Sequence, residues 1–204
     1  MSKDTPKSRR TRARILEAAT GLFAEVGYHD ATNAEIAKAA RLTRGAMLYH
    51  FPTREALVAA AVEHIQAGRL ALFDAAAADP PPGGDATAHA IAAYWRLLAE
   101  APFVAFAELE AVARTNPMVR EHLAPAQDAF DRSRVGESFS AIAQAGHGPR
   151  FQASRDLARF LLEGLARASL AFDEEARIDH LLAVVERAVR MLNRKGDVQD
   201  LWPE

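Results

Sequence analysis

Thr43, Arg44, Tyr49, His50 and Arg54 stand close together in the chain. All of them donate hydrogen bonds, and the two arginines carry a permanent positive charge. No nucleophile-base pair, carboxylate pair or phosphate-cradling glycine loop accompanies them, so the set does not resemble catalytic machinery. What it suits is donation to anionic oxygens and to base edges: Arg44 to phosphate or bidentately to guanine, and Tyr49, His50 and Arg54 to phosphate oxygens. The charge distribution points the same way. The net charge of −2 conceals 10 Lys and Arg against 5 Asp and Glu up to Arg54, a net +5, and 15 against 22 beyond it, a net −7. A basic head on an acidic body is the electrostatic footprint of a phosphate-binding surface.

Those donors need a scaffold, and the local sequence supplies one. Ile15, Leu16, Ala19, Leu22, Phe23 and Val26 recur at helical spacing, and Gly27 follows them as a left-handed cap, which predicts a helix over residues 11–26. Lys7, Arg9, Arg10, Arg12 and Arg14 then lie at or before its start, against the helix dipole, which phosphate or a solubilising tail would explain. Thr32 and Glu35 have the spacing of a capping box, predicting a short helix over 33–40 with Ile36, Ala37 and Ala40 inward. Arg41 and Leu42 form a turn, and Thr43 caps a second short helix ending at Tyr49 or His50. Two short helices about a tight turn are the geometry of a helix-turn-helix, whose second helix presents its N-terminal side chains to the major groove. Leu42, Met47 and Phe51 are its inner support, and Thr43, Arg44, Tyr49 and His50 face outward. Phe51-Pro52-Thr53 breaks the pattern before a long helix running toward Phe73.

The prolines and glycines of residues 79–85 mark a loop, and everything after them is again helical in pattern: 86–99, 102–114, 117–145 with a possible break at Pro125, 151–172 and 177–194. No period-two alternation occurs, so the expected fold class is all-α, with about nine helices and no repeat. Cys 0 excludes disulfides, thiol nucleophiles and thiolate metal sites. His89, His122 and His147 are too scattered for a metal site, and Glu108, Glu110 and Glu163 are read as solvated. No metal and no cofactor is expected. The polar opening from Met1 to Ser8 and the lack of an apolar run near 20 residues predict an unexported, cytoplasmic chain with no membrane partner.

The chain resembles the tetracycline-repressor (TetR) family through Gly27-Tyr28, through Ile36-Ala37-Lys38-Ala39-Ala40, and above all through the run from Leu42 to Leu57, Leu-Thr-Arg-Gly-Ala-Met-Leu-Tyr-His-Phe-Pro-Thr-Arg-Glu-Ala-Leu. The resemblance covers roughly the first quarter of the chain. It implies a three-helix DNA-binding domain over residues 1–54 and an all-helical ligand-binding and dimerisation domain over 55–204. It also implies that Arg44, Gly45 and Ala46 face bases, while Thr32, Asn33, Thr43, Tyr49, His50 and Arg54 contact phosphate. Leu48 stands where many members have a DNA-touching tyrosine, and is expected to meet a thymine methyl instead. Arg41 stands where a turn glycine is common.

In the body, Leu157, Phe160, Leu161 and Leu165 recur every three or four residues, as do Leu181, Leu182, Val185 and Val189. As the resemblance implies, these two helices form a homodimer interface with the same pair from a second subunit; the alternative is that both face their own core. Tyr94, Trp95, Phe103, Phe106, Phe130 and Phe139 are the candidates for lining an apolar cavity for a small-molecule effector. The resulting expectation is a ligand-responsive homodimeric repressor released from palindromic double-stranded operator DNA by a small molecule, and not an enzyme. The rival readings are an all-α enzyme or a non-DNA interaction module in which the basic head is incidental.

Overall fold

The computed structural model describes residues 5–77, 85–135, 149–168 and 175–193. Among them the chain is helical throughout, in ten helices: α1 Pro6–Glu25, α2 Gly27–Asp30, α3 Asn33–Ala39, α4 Arg44–His50, α5 Arg54–Ala77, α6 Ala86–Leu97, α7 Ala101–Ala113, α8 Pro117–Val135, α9 Pro149–Ala168 and α10 Glu175–Asn193. α1 begins earlier than the expected Thr11. Pro6, pre-set for a first turn, opens it, and the Thr5 Oγ1 accepts from Ser8 N at 3.2 Å. That first turn is polar and carries no apolar stripe, so periodicity did not mark it. The single turn α2 was likewise not expected.

The chain packs as two compact units. The first holds Met1–Ala71 and Glu100–Asp131. The head therefore shares one core with α7 and the start of α8, beyond the boundary at residue 54. α1 packs along α7, and Ile15, Ala19, Phe23, Ile36, Met47, Phe51, Leu57, Val58, Ile65, Phe106 and Leu109 form one buried cluster. By length and composition Arg54–Ala76 is long and apolar enough to cross a bilayer, unlike the sequence expectation; here Leu57, Val58, Ala61, Val62 and Ile65 of that helix are fully buried in the protein core. α8 continues through Pro125 without the possible break. Pro125 and Glu121, one turn earlier, are both exposed, so the carbonyl that loses its N–H partner can be met by water.

The second unit holds Leu72–Ala99 and Arg132–Glu204. In it α9 packs on α10 and both meet α6. The Asp85 carboxylate caps α6, accepting from Thr87 N at 2.9 Å and Ala88 N at 3.2 Å, and Arg190 of α10 pairs with Asp85 and Glu186. The Tyr94 hydroxyl donates to Glu163 Oε1 at 2.7 Å, so Glu163 is engaged rather than solvated.

Candidate nucleic-acid interface

The turn between α3 and α4 closes as a Schellman motif. Leu42 N donates to Ala37 O and Arg41 N to Lys38 O, both at 2.9 Å, with Arg41 at φ 53°. A glycine adopts this conformation freely, so arginine here costs about 1 kcal/mol. In return Leu42 reaches the core and α4 is set across α3. Threonines start each helix of the motif. Thr32 Oγ1 accepts from Glu35 N at 3.3 Å, Thr43 Oγ1 from Ala46 N at 3.1 Å, and Thr53 Oγ1 from Ala56 N at 3.0 Å. Only half of the expected capping box forms. The Thr32 N–H is already bonded to Asp30 O at 2.7 Å, and Glu35 lies instead 3.6 Å from Lys38. Because the threonine oxygens act as acceptors, each hydroxyl proton stays available to an external oxygen.

α4 is amphipathic over two turns. Met47 and, just past its end, Phe51 are buried, whereas Thr43, Arg44, Gly45 and Tyr49 are exposed, Tyr49 to 71 %. Ala46, Leu48 and His50 are half-buried. The Tyr49 and His50 rings meet edge to face, 5.3 Å between centroids. A Cβ built on Gly45 would meet no atom within 4 Å, so packing within the chain does not demand glycine there. Thr43, Arg44, Gly45 and Tyr49 thus share one solvent-facing helix surface, with Thr32 exposed at the start of α3.

Arg54 and Arg12 turn inward more than the sequence suggested. Arg54 Nη2 donates to Tyr28 O at 2.9 Å and Nη1 to Ala31 O at 2.7 Å and Asn33 Oδ1 at 3.3 Å. Its guanidinium also lies 4.7 Å from the Tyr28 ring centroid. It ties the start of α5 to the entry of α3. Arg54 and Asn33, with Tyr28, His29 and Thr32, line a shallow open depression of about 290 Å3. Arg12, counted from sequence among the basic residues at or before the start of the first helix, sits a turn and a half inside α1. Its Nη1 donates to His50 O at 2.9 Å, and its guanidinium lies 4.3 Å from the Phe51 ring centroid. The last carbonyls of a helix have no partner inside it, so Arg12 clamps the C-terminal end of α4. Lys7, Arg10 and Arg14 stay exposed along α1. Neither inward role is legible locally, because each depends on a residue more than five helical turns away in sequence.

Residues 15–61 match the family model for bacterial regulatory proteins of the tetR family. The HTH-type transcriptional regulator UidR of Escherichia coli K12 is 40 % identical over 63 residues, 31 % of this chain and 32 % of that protein. Residues 15–61 are thus similar to the DNA-binding part of regulators of the tetR family. The matched stretch spans about a third of the length of this curated relative. Solved structures extend the likeness in fold to most of this chain. Salmonella enterica GusR superposes with a TM-score of 0.63 at 24 % identity, covering 93 % of this chain and 100 % of that one. A transcriptional regulator from Saccharomonospora viridis in complex with choline gives 0.63 at 21 % identity, covering 89 % and 96 %.

The other site residues expected from sequence are distributed over both units. Phe103 and Phe106 are buried in the first, where the Arg69 guanidinium lies 5.2 and 3.7 Å from their ring centroids. Arg69 Nη1 also donates to Gln66 Oε1 at 3.2 Å. Tyr94 is buried and Trp95 half-buried in the second unit. The Phe130 side chain and Phe139 lie outside the described residues. On α9, Leu157, Phe160 and Leu161 are 47, 58 and 54 % exposed, and on α10 Leu181 is also exposed. Leu165, Leu182 and Val189 are half-buried, whereas Val185 is buried within its own unit and is not part of the exposed stripe. Val184 and Met191, not named from sequence, complete the stripe instead. Periodicity identified the apolar helix but could not divide its inner edge from its outer one.

Proposed function

We propose that this chain is a homodimeric repressor that acts in the bacterial cytoplasm, binds a palindromic operator and is released from it by a small molecule. The observation that carries the reading is α4: a threonine-capped helix held from behind by Arg12 and Phe51, with Arg44, Gly45 and Tyr49 exposed on its outer side. A helix so presented fits the major groove with its N-terminal turn against base edges. Arg44 is assigned to base reading, with Gly45, Ala46 and Leu48 at close approach. Thr32, Asn33, Thr43, Tyr49 and His50 are assigned to phosphate, together with the Arg54 edge of the depression.

Dimerisation is supported by the apolar stripe on α9 and α10. Exposed leucine, phenylalanine and methionine side chains on adjacent helices are favourable to bury against a second copy. Reading two half-sites one helical turn apart requires two heads. Release by a small molecule is supported by the kinship in fold with a regulator that binds choline and by the aromatic residues Phe103 and Phe106 of the first unit. An effector acts by binding the DNA-competent and DNA-incompetent arrangements unequally.

The test is selection of bound sequences from random duplex DNA by the full-length protein, repeated with Arg44→Ala. A palindrome with half-sites about one helical turn apart, and loss of preference at one defined base with Arg44→Ala worth about 1–3 kcal/mol, is the expected result. No enrichment at low salt would overturn the reading.

A further inference from the structure

We propose that Glu108 of α7 is the positioning residue through which the helical body holds the DNA-reading head, an inference that rests on the DNA-binding function above. Glu108 Oε1 accepts a hydrogen bond from Tyr28 N at 2.9 Å. The contact is close as well as polar. Gly27 adopts φ +82°, and a Cβ built on it would stand 3.1 Å from the same oxygen, so a bare backbone is what lets α7 approach. Tyr28 is held at its other end too, since its carbonyl, in the next peptide unit, accepts from Arg54 Nη2 and its ring lies beside the same guanidinium. Arg54 in turn holds Ala31 O and Asn33 Oδ1 where α3 begins.

A continuous polar connection thus runs from α7 through Tyr28 and Arg54 to the first helix of the helix-turn-helix. It matters because the neighbouring seam between α1 and α7 is lined by buried apolar side chains, Ala19, Phe23, Phe106 and Leu109. Apolar packing tolerates small slides, whereas a carboxylate bonded to one backbone N–H fixes a position and is stronger than a neutral pair. α7 also carries Phe103 and Phe106, which meet Arg69 of α5.

The experiment uses the full-length chain and the operator duplex selected above. Glu108→Met keeps the side-chain length and removes the acceptor; Glu108→Gln keeps an oxygen for Tyr28 N and removes the charge. Three quantities are measured: operator affinity, the salt dependence of binding, and amide hydrogen exchange at Tyr28 without DNA. Glu108→Met is expected to weaken binding about tenfold, which is about 1.4 kcal/mol, with an unchanged salt slope because no phosphate contact is lost. The Tyr28 amide exchanges faster, and Glu108→Gln restores binding to within about threefold, well under that 1.4 kcal/mol. Wild-type affinity in Glu108→Met, unchanged Tyr28 exchange, or a Gln variant as impaired as the Met variant would each overturn the proposal. If the wild-type protein enriches no duplex at all, the DNA-binding function falls and this role falls with it, whereas normal wild-type binding with an indifferent Glu108 removes only the positioning role.

Discussion

Replacing Arg12 separates two roles that a basic residue at the start of a DNA-binding head can have. In the structure its guanidinium donates to the His50 carbonyl, which ends α4, and lies over Phe51. Arg12→Met keeps the straight apolar stem and removes charge and donors. A hydrogen bond from a charged donor contributes about 1.5–3 kcal/mol. A cation at a helix C-terminus adds about 0.3–1 kcal/mol, and a half-exposed cation–π contact about 0.5–1 kcal/mol. These share one group and do not add, so the expected loss is about 2 kcal/mol. For a chain of this length that lowers the melting temperature by about 4–8 °C. Were Arg12 instead a phosphate contact, the protein would melt normally, and the slope of log affinity against log salt would fall by about 0.9 per contact, or about 1.8 for a dimer. Thermal unfolding followed by circular dichroism, together with operator titrations at several salt concentrations, measures both. A lowered melting temperature with an unchanged slope is expected; a normal melting temperature with a reduced slope refutes the clamp.

Two further outcomes follow from the geometry. Gly45→Ala removes a helix-destabilising glycine where a Cβ meets nothing. Thermal unfolding should therefore show a gain of up to about 0.5 kcal/mol, while operator titration shows a loss of about tenfold as the new methyl enters the gap left for DNA; equal affinity would show that the backbone does not approach closely there. Phe160→Glu places a charge in the exposed stripe of α9 and should leave helix content intact while converting the proposed dimer to monomer and lowering operator affinity. Light scattering behind a sizing column measures this, and an unchanged mass would move the interface elsewhere.

How much was legible depended on the range of the forces involved. Caps and turns act over three or four residues, so Thr32, Thr43, the glycine end of α1 and the turn at Arg41 and Leu42 could be placed from their neighbours in sequence, while the left-handed φ of Arg41 came from the structure. The outward face of α4 followed from the same local logic, because its inner face is apolar at helical spacing. Apolar periodicity likewise marked the long helices of the body, although it left open whether Val185 faces its own core and passed over the exposed Val184 and Met191, since a stripe about a helix has two edges and only a neighbouring helix chooses between them.

The sequence by itself determined an all-α chain with a basic, threonine-capped helix-turn-helix, because those features are written in nearest-neighbour chemistry. The tertiary structure alone decided that Arg12 and Arg54 point inward as clamps, that Glu108 grips the Tyr28 amide, and that α7 shares a core with the head. Each of those pairs residues tens of positions apart, and a long flexible side chain takes whichever partner the packed backbone leaves within reach: an orphaned carbonyl or amide inside the fold, or water and phosphate outside it.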